Sequence, residues 1–186
     1  MQLIEQLVTA AGQDSREFPL LIEQIGLLMQ KAEYRLFEVS TTKPWGAYIR
    51  IDSDQADVFI QEFFPGLSID DARLGIKDAE LSPKLLIVKP GERLSWQYHH
   101  RRAERWRFLT PGAYRKSPND KEGNLIQVAA NEVTQFEMGE RHRLEGLQTG
   151  IVLVAEIWQH IDIGRFSDED DIVRLADDYD RQTIVQ

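Results

Sequence analysis

A chain of 186 residues suits one domain and can bury a core without disulfide or metal staples. It has no Cys, which excludes a disulfide framework, a thiolate metal site and a thiol nucleophile. Its 31 acidic against 22 basic side chains, a formal charge of −9, repel nucleic-acid backbones and anionic membranes.

In chain order, two helices are predicted first. Leu3, Ile4, Leu7, Val8 and Ala11 make one apolar face with Gly12 as a stop, and the absence of Lys and Arg among residues 1–7 argues against a secretory leader. A second helix begins near Pro19, apt for a first helical position, and repeats Leu21, Ile25, Leu28 and Ala32. These helices are expected to form an extension over 1–33 that covers a barrel end or a subunit contact, ahead of a domain at 34–186. Residues 34–40 and 47–51 read as strands joined by a turn at Lys43, Pro44, Trp45 and Gly46, and Asp54 as the cap of a short helix ended by Pro65 and Gly66. The run 85–88 is apolar throughout and predicts a buried strand. Alternation over 93–99 and from Glu104 to Leu109 predicts two paired strands, 125–136 and 150–158 supply others, and four consecutive acids before Ile172 predict the start of a final helix over 172–179. Many short strands split by Gly and Pro turns favour a sandwich or barrel. No apolar run approaches the about 20 residues needed to cross a bilayer, so a cytoplasmic protein is expected, with no membrane and no nucleic-acid partner.

In the segment 93–99, side chains two apart share a face, so Arg93, Ser95, Gln97 and His99 project together. The next strand turns Glu104 inward, and His142, after Gly139, could join from a third. Imidazole nitrogen with amide and carboxylate oxygen suits a borderline divalent cation that keeps exchangeable positions. Arg101, Arg102, Arg105 and Arg107 gather nearby, either as a rim for an anionic ligand or as a solvent face paired with acids.

Pro90, Gly91, Leu94, Ser95, Gln97, His99, His100, Arg102, Ala103, Glu104 and Trp106 resemble the first metal motif of cupins, in the version of type II phosphomannose isomerases. Gly139, His142, Arg143, Leu144 and Glu145 are similar to the second motif. Lys43 to Gly46, the stretch Glu169 to Arg174, and Asp178, Tyr179 and Arg181 match further family segments in order. Arg101 and Arg105 stand where the family usually has His, Glu137 where it has Pro, and Gly146 where it has Asn. The resemblance implies a mainly β fold, a single cupin barrel (double-stranded β-helix, or jelly roll) with N-terminal helices and a short C-terminal helix, assembled as a homodimer. It implies Gln97, His99, Glu104 and His142 as ligands of a divalent metal ion, zinc before manganese, iron or nickel. It further implies a metal-dependent aldose–ketose isomerase of a sugar phosphate, like mannose-6-phosphate isomerase, with a proton moved between neighbouring carbons. Lys89, Glu156 and Arg174 are the candidate catalytic residues for that transfer. The same ligand set leaves open an iron-dependent oxygenase, and the altered second motif a sugar-binding cupin without turnover.

Overall fold

The computed structural model describes residues 2–12 and 17–181; Met1, 13–16 and 182–186 of the two expected regions lie outside them. The helices are α1 (Gln2–Ala11), α2 (Phe18–Lys31), α3 (Ala56–Phe63) and α4 (Ile69–Ala72). The strands are β1 (Leu36–Lys43), β2 (Gly46–Ile51), β3 (Leu81–Val88), β4 (Trp96–His99), β5 (Arg102–Phe108), β6 (Gly112–Ser117), β7 (Ile126–Val128), β8 (Val133–Phe136), β9 (Arg141–Glu145), β10 (Val152–His160) and β11 (Ile172–Ala176). They form two antiparallel sheets, ordered β1-β2-β3-β10-β5-β8 and β11-β4-β9-β6-β7. The inner faces of both share one core, with Leu86, Trp106, Phe108 and Val154 from the first sheet against Tyr114 and Leu144 from the second. This is the mainly β jelly-roll barrel that the sequence predicts.

β3 and β10 pair from Val152↔Val88 to Gln159↔Leu81 and are buried along their whole lengths. Alternate residues therefore need cover on both faces. The barrel interior covers Leu86 and Val88, while Leu85, Ile87, Leu153 and Ile157 face outward onto Leu7, Ile25, Met29, Phe59 and Phe63 of the helices. Burying each such side chain is worth roughly 1.5–3 kcal/mol relative to leaving it in water. The N-terminal helices thus roof the outer face of the larger sheet rather than a barrel end. Among the described residues no helix is long and apolar enough to cross a membrane.

Three local expectations are corrected. The final helix over 172–179 is instead β11, which pairs with β4 through Ile172↔His99, Val173↔Tyr98 and Arg174↔Gln97, so its backbone groups complete an open sheet edge. The acids before it form a 3-10 turn, Glu169–Asp171, with Asp168 accepting from the Asp170 N–H at 3.1 Å. β4 and β5 are not partners: they belong to opposite sheets and reach one point across the barrel. After β2 comes a 3-10 turn, Ser53–Gln55, capped by Asp52, whose side chain accepts from the Asp54 N–H at 3.1 Å, and α3 follows with Gln55 at its N-cap in place of Asp54.

Candidate metal centre

His99 ends β4, Glu104 lies in β5 and His142 in β9, all buried. The turn between β4 and β5 is held by Asp171, whose carboxylate accepts from the backbone N–H groups of His100 at 3.2 Å and Arg101 at 3.0 Å. Gly139 adopts φ +76°, a left-handed turn that suits glycine, and donates its N–H to the His99 carbonyl at 2.9 Å. That bond ties the two motifs together. Gly146, the departure from the family Asn, has no room for a side chain: a Cβ there would lie 2.3 Å from the Lys89 carbonyl oxygen.

The hydrogen bonds fix both imidazole tautomers. His99 Nδ1 lies 3.2 Å from the Asp171 carbonyl oxygen and His142 Nδ1 2.9 Å from that of Glu140. A carbonyl only accepts, so in the neutral imidazole each Nδ1 carries the proton and each Nε2 presents a lone pair. These lone pairs face the Glu104 carboxylate, His99 Nε2 at 3.1 Å from Oε1 and His142 Nε2 at 3.2 Å from Oε2. Arg102 satisfies one half of this cluster, with Nε 2.8 Å from Glu104 Oε1 and a terminal nitrogen 3.2 Å from His99 Nε2. It is held in turn by Ser167 Oγ at 2.7 Å and the Trp158 ring at 3.5 Å. The other half, Glu104 Oε2 and His142 Nε2, is buried without a hydrogen-bond partner.

Buried lone pairs aimed at one another without a proton are unfavourable unless a cation joins them. Burial and then the Arg102 charge push the His99 pKa down to about 4. Burial alone would raise that of Glu104, but the imidazoles and Arg102 together hold it well below the usual range. His99 and Glu104 therefore stay in the forms that ligate a metal, and the donor atoms of His99, Glu104 and His142 all lie within 4.8 Å of one another. Gln97 is buried beside them, opposite His142 across β4 and β9, with its Oε1 accepting from Ser95 Oγ at 2.6 Å.

The centre opens into a cavity of about 500 Å³, counting its mouth, lined among others by Lys84, Trp106, Glu156, Trp158 and Arg174. Glu156, buried on β10, accepts the Trp106 indole N–H at 2.8 Å. Burial and then the Glu104 charge push its pKa up to about 8. Arg174 reaches the cavity from β11, in register with Gln97. Lys89 does not line it. Residues 84, 86 and 88 of β3 point inward, so Lys89 turns away and places its Nζ 3.4 Å from the Pro44 carbonyl oxygen and 5.0 Å from the Phe18 ring centroid.

The inward lysine is Lys84, which sequence reasoning misses because it precedes the apolar run rather than standing beside the metal motif. Its Nζ lies 2.9 Å from Glu169 Oε1 and 3.1 Å from the Trp158 ring centroid. Burial pulls its pKa down, against the opposing pull of Glu169 and Glu156. Of the arginine cluster only Arg102 enters the site; Arg101 pairs with Asp168 at 2.9 Å and Arg107 bonds the Phe63 carbonyl at 2.7 Å.

His160, to which the sequence assigns no role, accepts the Ser167 N–H at Nδ1 and so donates from Nε2 to Ser82 Oγ, both at 2.9 Å. Burial and then the charges of Arg102, Arg50 and Lys84 push its pKa from 6.5 down to about 4. The stability it contributes is present above pH 6.5 and is lost as pH falls through about 4, a loss of roughly 3 kcal/mol. Urea unfolding at a series of pH values should give a shallower acid limb for His160→Gln than for the parent protein.

Residues 76–177 match the family described as mannose-6-phosphate isomerase C-terminal. That span holds β3 to β11 and every residue placed at the centre. The xanthan biosynthesis protein XanB of Xanthomonas campestris pv. campestris (strain B100) is 30% identical over 139 residues, 75% of this chain and 23% of XanB. Mannose-1-phosphate guanylyltransferase 2 of Escherichia coli O157:H7 is 26% identical over 179 residues, 96% of this chain and 30% of that protein. The chain thus spans about a quarter of the length of these curated relatives. In fold alone it is similar to Bacillus subtilis oxalate decarboxylase, with a TM-score of 0.51 at 14% identity over 76% of this chain and 32% of the other.

Proposed function

The chain belongs to the mannose-6-phosphate isomerase C-terminal family, and from that premise we propose that it is a metal-dependent aldose–ketose isomerase of a phosphorylated sugar, resembling mannose-6-phosphate isomerase. The observation that carries this reading is the convergence of His99 Nε2, His142 Nε2 and the Glu104 carboxylate beside a second buried carboxyl, Glu156. A divalent cation on His99, Glu104 and His142, with Gln97 adjacent, would supply Lewis-acid polarisation of a sugar carbonyl. Manganese is the first ion to test, since the Bacillus subtilis oxalate decarboxylase of similar fold has Mn(II) centres.

The proton is the part of the reaction that this chain's own residues handle. Aldose–ketose interconversion takes a proton from one carbon and returns it to its neighbour, so one group must both accept and release it. Glu156 suits that role, because a pKa of about 8 leaves both protonation states accessible near neutral pH. The Trp106 N–H holds one carboxylate oxygen and so fixes the orientation of the group. Trp45, Trp106 and Trp158 line the cavity and keep water from competing for the proton. Five cations against three acids on the lining favour an anionic substrate in a chain of net charge −9. Nucleotidyl transfer, the activity in the name of the Escherichia coli relative, is that of a protein of which this chain covers 30%.

The test is interconversion of mannose 6-phosphate and fructose 6-phosphate, followed in both directions with manganese, zinc, iron and nickel in turn. Turnover that requires one of these ions is the expected result. Tight metal binding with no interconversion under any of them would leave a sugar-binding barrel without catalysis.

A further inference from the structure

Five cationic side chains line the cavity: Lys43, Lys84, Arg102, Arg174 and Arg181. Three of them are already neutralised within the protein. Lys84 pairs with Glu169 at 2.9 Å, Arg102 with Glu104 at 2.8 Å, and Arg181 with the Asp177 carboxylate through its Nε at 2.9 Å. The side chains of Lys43 and Arg174 make no hydrogen bond or ion pair with any described residue. Lys43, at the end of β1, rests its ammonium 5.4 Å from the Tyr48 ring centroid. Arg174 is the more exceptional, for its Nε is buried with no partner.

Two forces act on the Arg174 guanidinium. Burial strips its water and the nearby Arg181 charge repels it, both lowering its pKa, while Asp177 and Glu169 act in the opposite direction. A half-buried cation left unpaired beside a like charge is unfavourable, and proteins retain such a group where an anion arrives with a ligand. Its direction follows from the register. Arg174 stands opposite Gln97, and Gln97 opposite His142, so the three share the inward face of neighbouring strands. Lys43 and Arg174 are also joined through Glu169, whose charge acts on both.

We propose that Arg174 and Lys43 form an anion subsite of the cavity that takes the phosphate of the phosphorylated sugar. The inference rests on the isomerase reading above for its substrate and refines where that substrate is held. Two unpaired cations match the two charges of a phosphate dianion, and the planar guanidinium can bond two of its oxygens at once. Arg174 thereby ceases to be a candidate for proton transfer, since a guanidinium remains charged and has no lone pair to offer.

The test uses inorganic phosphate as the probe, titrated calorimetrically into the full chain, with thermal melting to confirm the fold. Arg174→Gln should weaken phosphate binding by about tenfold or more, and Lys43→Gln, at the mouth, by a smaller factor. In turnover assays Arg174→Gln should raise KM for the sugar phosphate by a similar factor and leave kcat within about threefold. A folded Arg174→Gln protein with parental phosphate affinity overturns the subsite. Should that variant not fold, Lys43→Gln decides, and unchanged affinity there overturns it equally. Phosphate binding that is lost in Arg174→Gln while the parent protein isomerises no sugar phosphate upholds the subsite and removes the isomerase. Isomerisation by the parent with an unchanged KM in Arg174→Gln does the reverse.

Discussion

Replacing His142 by Leu is expected to abolish metal binding and to lower kcat/KM by about a thousandfold or more, equivalent to roughly 4 kcal/mol of transition-state stabilisation. The imidazole lies between Phe136 and Trp106, with ring centroids 4.6 and 5.5 Å away, so an apolar side chain of similar size keeps the packing. It removes only Nε2 and the Nδ1 bond to Glu140. Arg102 still neutralises Glu104 from the other side. Without added metal the variant should therefore unfold within about 1.5 kcal/mol of the parent protein. With metal, the parent should gain stability and the variant should not. A His142→Leu protein that is equally stabilised by manganese would show that the imidazole is no ligand.

Glu156→Gln carries the second large effect. The amide retains an oxygen for the Trp106 indole N–H, now at 2.8 Å, so the side chain should stay in place. It cannot accept a proton, and kcat should fall by about 10²–10⁴-fold with KM changed little. In the parent protein the base must be ionised, so kcat/KM should rise with pH through the Glu156 pKa, which burial holds above the usual carboxylate range. The variant's residual activity should lack that limb. A stability effect accompanies it. The Glu156 carboxyl has its pKa raised, so the stability tied to its protonated form is fully present below about 4.5 and is lost as pH rises through about 8. Glu156→Gln should remove that alkaline loss, which denaturant titrations at pH 6 and pH 9 would detect. An unchanged kcat would transfer the proton to another group, with Lys84 next in the cavity.

What the sequence revealed was local, and what it concealed was pairing between distant strands. The spacing of Gln97, His99 and Glu104 is readable because alternation within a strand sets which side chains share a face. The apolar run 85–88 announced a strand covered on both sides, and Gly12 and Pro19 marked helix ends. The partner of β4 was not readable. A short turn after His99 looks like a hairpin, but the chain crosses between sheets there, and β4 pairs with β9 and with β11 from the far end of the sequence.

Residues 168–171 illustrate the same limit. Four acids ahead of Ile172 fit a helix start, yet Asp171 is needed to hold the His100 and Arg101 N–H groups, and the residues after it complete a sheet edge. Tertiary pairing outweighed the local preference. Lys84 was hidden for a related reason, since a lysine ahead of an apolar run gives no sign that Glu169, 85 positions later, will neutralise it.

Calorimetric titration of manganese and zinc into metal-stripped protein, with His142→Leu in parallel, bears most directly on the cluster of two imidazoles and a carboxylate. One ion per chain is expected for the parent protein, released as pH falls and the imidazoles and carboxylate take up protons, with no saturable binding by the variant. Parent protein that binds neither ion, or a variant that binds as tightly as the parent, would contradict the account.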